Sequence, residues 1–308
     1  MAIVSMKLLL KHARENHYLI GYFEAFNMDA LLGVLDAAED LDSPVIIGFG
    51  GQFIGSPKRG GRENIYNYGA LAREAAKRSR VPAAVLLNEA DSEDMIYNGI
   101  YAGFNAVMYQ KKGEDYERTK NITREICKIA HMLNIDVEGE VGELASADIS
   151  TGTLSPGTKT DLVKAARFVE ETGVDALAVA VGNIHLLEDG KSSIDYELLG
   201  LLSRKIQVPL VLHGGTGISK EGLKRAADLG VSKINVGTAL KRAYIEAVSK
   251  YYRENDVAKI DPHVTIGWGG ADDMITRGRA AIADKTSEFI SIFGSAGKAP
   301  ALTRICHE

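Results

Sequence analysis

Two histidines stand at the ends of apolar runs: His185 closes AVAVGNIH and His213 closes PLVLH. An imidazole delivered by an apolar strand needs a partner for each ring nitrogen, and two such rings beside a carboxylate make a metal site. Glu89, at the end of PAAVLLNE, offers the carboxylate. A set of two histidines and one carboxylate leaves coordination positions open for water or substrate, which marks catalytic rather than structural metal sites. A single strand-end histidine is more often a hydrogen-bonded core residue; the pair, with HGGTG following the second, carries the argument. Other polar residues close or follow apolar runs in the same way: Glu24, Asn88, Gln110, Glu138 with Glu140, and Asn235. Two glycine-containing turns, HGGTGI and INVGTAL, follow His213 and Asn235. There the backbone N–H groups of Gly214, Gly215, Gly237 and Thr238 suit an anion such as phosphate.

The elements that must hold these residues repeat eight times. Short apolar runs at 18–23, 44–47, 83–87, 106–109, 136–140, 176–181, 209–213 and 233–236 alternate with helical patterns such as LVKAARFVEETG and KEGLKRAADLG. Eight alternations predict an α/β fold, the (β/α)₈ TIM barrel, whose usual length of about 250 residues fits this chain with modest extensions. Residues 1–308 are expected to form a single barrel domain with a C-terminal helical extension over about 240–308. Gly173 and Gly230 fall where left-handed helix caps are wanted, and Pro44, Pro82 and Pro209 fall at strand starts. In such a barrel the reactive groups hang from the C-terminal ends of the strands. Lys233 begins its run, so it is expected at the opposite rim as a solvated lysine, which argues against Schiff-base chemistry.

Composition narrows the partner. Net charge is −5 with no basic block, which excludes a nucleic-acid surface, and no apolar run approaches the roughly 20 residues that cross a bilayer. The opening MAIVSMKLLLKHAREN mixes charged with apolar residues, unlike a signal peptide, and Cys127 and Cys306 are too sparse for a disulfide framework. These features predict a cytoplasmic protein acting on a small molecule.

The segments SMKLLLKHARENHYLIGYF, SPVII, AGFNAVM, VEGEVG, FVEETGVDALAVAVG, PLVLHGGTGI, GVSKINVGT and FGSAGKA run nearly end to end through the chain. In them it resembles the class II, metal-dependent fructose- and tagatose-bisphosphate aldolases. The resemblance implies a divalent metal, usually zinc, with manganese, magnesium or cobalt as other candidates. It implies retro-aldol cleavage of a phosphorylated ketose or related polyhydroxy ketone, by a homodimer or homotetramer. It matches His185 and His213 to metal-binding histidines and Glu140 to a carboxylate near the metal. It matches Asn235 to the asparagine touching the enediolate and Asp148 to the carboxylate that handles the proton on the enediolate carbon. Gly214, Gly215, Thr216 and Thr238 match phosphate-binding positions.

The chain also departs from the family. Where the family reads His-Leu-Asp-His, it has Leu86-Leu87-Asn88-Glu89. Asn88 therefore stands in place of the carboxylate that takes the hydroxyl proton, and Glu89 in place of a metal histidine. An amide has no titrating group near neutrality, and positioned proton transfer is worth about 10²–10⁴ in rate. Glu24 replaces an asparagine, Gly50 a serine, Gln110 an aspartate, Gly237 and Ala239 polar residues, and Leu186 a glycine. Three readings follow: a lyase in which Glu24 or Glu89 takes over the lost base, an isomerase or epimerase on the same metal site, or a non-catalytic sugar-phosphate-binding protein.

Overall fold

In the computed structural model, residues 3–61, 63–147, 154–185 and 193–305 are described, His185 through its backbone only. Eight parallel strands close into a barrel: β1 Ile20–Ala25, β2 Val45–Gly50, β3 Ala83–Ala90, β4 Ala106–Tyr109, β5 Asp136–Val141, β6 Ala176–Val179, β7 Leu210–Leu212 and β8 Val231–Val236. Each pairs with its neighbours in chain order, and β8 returns to β1 with Tyr22 opposite Asn235. The eight-run expectation holds, with Pro44, Pro82 and Pro209 each one residue before a strand and Gly173 and Gly230 at positive φ. Such strands are buried on both faces, which is why the sequence reads as continuous apolar runs rather than as alternation.

The two faces build two clusters. Outward-facing Ile47, Val85, Val107 and Leu177 pack beneath the surrounding helices. Inward-facing Tyr22, Ile46, Leu86, Met108, Ala178 and Val211 join Met6, Leu9 and Leu10 of the first helix, α1 Met6–Glu15, which plugs the N-terminal mouth. Burying each leucine there stabilises by roughly 1.5–3 kcal/mol. Polar bonds fix the plug: Ser5 Oγ donates to Asp136 at 2.8 Å, and the Lys7 ammonium meets Asp175 at 2.9 Å. With this end sealed and apolar, polar groups that enter the barrel gather at its other end.

The C-terminal helices complete the outer wall. A helix over Met274–Phe293 packs against those over Met28–Asp40 and Thr238–Glu254, and Arg279 grips Asp36 through two bonds of 2.6 and 2.7 Å. Asp273 caps the first of these helices, accepting from the backbone N–H groups of Ile275 and Thr276 at 2.8 and 3.1 Å and from those of Gly267 and Gly269 at 2.7 and 3.1 Å. Burial works against its charge, but the four N–H donors hold its carboxyl below the usual range. Asp273→Ala is expected to cost about 1–2 kcal/mol near neutral pH. The depressed folded pKa means this stabilisation is present above the unfolded value of about 3.9 and is lost as pH falls through the folded one. Denaturant titrations of both proteins at about pH 7 and about pH 3 check it: the deficit of the variant should shrink at the lower pH.

Among the described residues no helix is long and apolar enough to cross a membrane.

Candidate active site

At the C-terminal end of the barrel the strands deliver a buried polar cluster around a cavity of about 630 Å³. Period-two alternation explains who enters it. On β5, Asp136, Glu138 and Glu140 share the inward face, and on β8 Lys233 and Asn235 do. A β-bulge interrupts the pairing of β3 with β4 between Leu87 and Ala90, and Glu89 within it sits at φ 50°. That left-handed backbone costs a non-glycine residue about 1–3 kcal/mol, and it turns Glu89 toward the cavity that Asn88 also lines.

His213, one residue past β7, is wholly buried between two carboxylates: Nε2 lies 3.0 Å from Glu138 Oε1 and Nδ1 lies 3.4 Å from Glu89 Oε1. Burial opposes a charge on this ring, but the bonds to Glu138 and Glu89, with the Glu140 charge, outweigh it and push the imidazole up to about 10. Glu138 continues the chain inward, its Oε2 2.9 Å from the Lys233 ammonium. Burial disfavours the Glu138 charge, yet Lys233 and His213 hold its carboxyl below the usual range. Lys233 Nζ also donates to Asn235 Oδ1 at 2.6 Å. An ammonium accepts nothing, so this bond fixes which way the Asn235 amide faces.

Around this chain stand three further groups. The Gln110 amide donates to Glu140 Oε2, and burial, reinforced by the Glu89 and Glu138 charges against that of His213, pushes the Glu140 carboxyl up to about 7. The Gln52 amide donates to Glu89 Oε2. Glu24, at the top of β1, takes the Lys241 ammonium at 2.7 Å. Four polar atoms of the residues lining this cavity are buried with no hydrogen-bond partner among the described residues: Tyr22 Oη, Asn88 Oδ1, Glu140 Oε1 and Asn235 Nδ2.

The sequence-derived residues are therefore largely brought together. Glu24, Asn88, Glu89, Glu140, Asn235, Gly214, Thr216, Gly237 and Thr238 line the one cavity, with His213 directly beneath Glu89. Gly215 stays buried in the turn Gly215–Gly217, behind the wall. Asp148 lies outside the described residues. His185 is not carried by a barrel strand, since β6 ends at Val179; its backbone forms the two-residue strand Ile184–His185 in a small separate sheet with Ala145–Ala147 and Leu154–Ser155. Among the described residues no three His, Cys, Asp or Glu side chains are placed as a ready metal site.

A second expectation is overturned. Lys233 is not a solvated lysine at the far rim: it is the third residue of β8, fully buried, and bonded to Glu138 and Asn235 inside the barrel. The missed partner was Glu138. Both were readable from alternation, because Lys233 and Asn235, like Glu138 and Glu140, are two residues apart and share a face. An inward lysine in an apolar barrel requires a carboxylate.

Comparison with known proteins gives the same outline. The family model for fructose-bisphosphate aldolase class-II matches residues 4–298. The chain is 33% identical over 287 residues to the uncharacterized protein YdjI of Escherichia coli strain K12, covering 93% of this chain and 96% of that one. It is 31% identical over 305 residues to the 6-phospho-5-dehydro-2-deoxy-D-gluconate aldolase of Bacillus licheniformis, covering 99% of each. It is also 31% identical over 315 residues to the fructose-bisphosphate aldolase of Thermus caldophilus, covering 94% of this chain and 98% of that one. The crystal structure of the E. coli YdjI aldolase superposes with a TM-score of 0.80 over 97% of this chain and 100% of that one, at 31% identity.

Proposed function

Because the chain belongs to the class II fructose-bisphosphate aldolase family, we propose that its cavity performs a metal-assisted retro-aldol cleavage of a polyhydroxy ketone or its phosphate. The observation that carries this reading is the set of four partnerless buried atoms, Tyr22 Oη, Asn88 Oδ1, Glu140 Oε1 and Asn235 Nδ2, on the walls of one cavity. Buried polar atoms are almost always satisfied, so two acceptors, an amide donor and a hydroxyl left open together favour a ligand rich in hydroxyl and carbonyl groups.

Two donors of the kind a divalent cation needs stand side by side. His213 Nδ1 and Glu89 Oε1, 3.4 Å apart, supply an imidazole and a carboxylate, donors that suit zinc, manganese or cobalt, and His185 is added by the family resemblance. Bound there, the cation would supply Lewis-acid polarisation of the ketose carbonyl. Glu138 fixes the orientation of the His213 ring through Nε2, as a carboxylate behind a ligating histidine does.

The remaining roles fall to side chains in view. Asn88 Oδ1 accepts the hydrogen bond of the reacting hydroxyl but cannot keep its proton. Glu140 serves better as the base than as a ligand, because Oε2 is engaged by Gln110 while Oε1 is open and the carboxyl titrates near neutrality. As Glu140 takes the hydroxyl proton, that oxygen becomes the carbonyl of the departing aldehyde. The carbon–carbon bond breaks, and its electrons pass to the former ketone oxygen as an enediolate. Asn235 Nδ2, aimed by Lys233, donates to that oxygen. Protonation of the enediolate carbon is assigned by the family resemblance to Asp148.

Dihydroxyacetone and its phosphate, incubated in deuterated buffer with the metal-loaded protein, test the half-reaction. One carbon-bound hydrogen beside the carbonyl is expected to wash out by NMR. No exchange with either compound, under any of zinc, manganese, cobalt or magnesium, would remove the enediolate from the account.

A further inference from the structure

The turn that begins the helix over Thr238–Glu254 has the makings of an anion site, yet the protein's own carboxylate already sits beside it. Glu24 is 8% exposed, and its Oε1 lies within 3.4 Å of where a Cβ on Gly237, the N-cap of that helix, would project. Its other oxygen, Oε2, lies 2.8 Å from the corresponding point on Gly50. A side chain at position 50 would collide with the carboxylate and with the Phe53 ring, whereas one at 237 would only reach ordinary contact with it. Gly50 therefore leaves the space that Glu24 fills, with Gly237 against its other oxygen.

The cation of this corner is engaged as well. Lys241, on the first turn of the same helix, gives its ammonium to Glu24 at 2.7 Å and lies over the Phe53 ring at 4.1 Å from the centroid. Gly237 supplies no side-chain cap to this 17-residue helix, and the helix's N-terminal end lies beside Glu24. The carboxylate and the lysine are thus matched to each other beside the helix terminus. A phosphate entering beside Gly237 and Thr238 would bring a second anion against Glu24 in a poorly solvated corner, and like charges at that range disfavour each other strongly.

Accepting the aldolase reading above, we propose that Glu24 is a specificity-determining residue that excludes phosphate from the β1–β8 corner, so that the substrate end seated there is an uncharged polyhydroxylated terminus. Its hydroxyls donate to the Glu24 carboxylate, and the Gly214–Thr216 turn and Thr238 line the remaining walls. The substrate class is then a polyhydroxy ketone unphosphorylated at this end.

Binding of inorganic phosphate, followed by calorimetry, tests this without any turnover, so it stands or falls separately from the retro-aldol reading. Glu24→Asn, which releases Lys241, is expected to bind phosphate at least about ten-fold more tightly than the wild type, and Lys241→Met added to it should cancel the gain. Equal affinity in wild type and Glu24→Asn, whether both bind or neither does, overturns the proposal. Far-UV circular dichroism checks that Glu24→Asn folds. If it does not, Lys241→Met alone decides: weaker phosphate binding than wild type overturns the proposal, and unchanged binding supports it.

Discussion

Replacing Lys233 by methionine is expected to destabilise the fold by about 3–5 kcal/mol, the usual cost of leaving one member of a buried ion pair without its partner. Lys233 and Glu138 are both fully buried 2.9 Å apart, and no water reaches Glu138 to take over from the ammonium. The methionine fills much the same volume, so the loss reports the charge rather than a cavity. Urea titration should show a lower midpoint with an unchanged slope. The double variant Lys233→Met/Glu138→Gln should recover a large part of the loss, since it removes the stranded charge. Equal destabilisation in both would show that packing, not pairing, matters here. The single variant should also weaken the site, because Lys233 fixes the Asn235 amide.

The second large effect is on catalysis. Glu140→Gln keeps the shape and the contact with Gln110 while removing the proton acceptor, and turnover is expected to fall by about 10²–10⁴-fold. Burial pushes this carboxyl upward and the active form is the ionised one, so wild-type turnover should rise with pH as Glu140 ionises. The variant should lose this ascending limb while retaining its metal content. A variant that keeps both rate and pH profile would move the base to Glu24 or Glu89.

Much of this was legible in the chain and some was not, for physical reasons. The barrel is written in eight apolar runs with proline at strand starts and glycine at helix ends, because fully buried parallel strands have no solvated face to encode. The rim residues Glu24, Asn88, Glu140, His213 and Asn235 were found because polar residues ending apolar runs have few structural reasons to be there. Lys233 was misread because position near a strand start suggested the solvated end, whereas alternation, which places it on the face of Asn235, was the stronger signal. The placement of His185 off the barrel strands, and the bulge that turns Glu89, depend on backbone geometry that no residue type announces. The pairing of Glu24 with Gly50 and Gly237 is likewise invisible until β1, β2 and β8 are brought together.

Whether this cavity breaks a carbon–carbon bond in a polyhydroxy ketone is measured most directly by release of the aldehyde. Metal-loaded wild type and His213→Ala would be given a panel of ketoses, with and without terminal phosphates, and the carbonyl products followed by mass spectrometry. Wild type is expected to cleave at least one member, and His213→Ala none detectably. Absence of any carbonyl product from the wild type across the panel, in a sample shown to be folded and metal-bound, would contradict this.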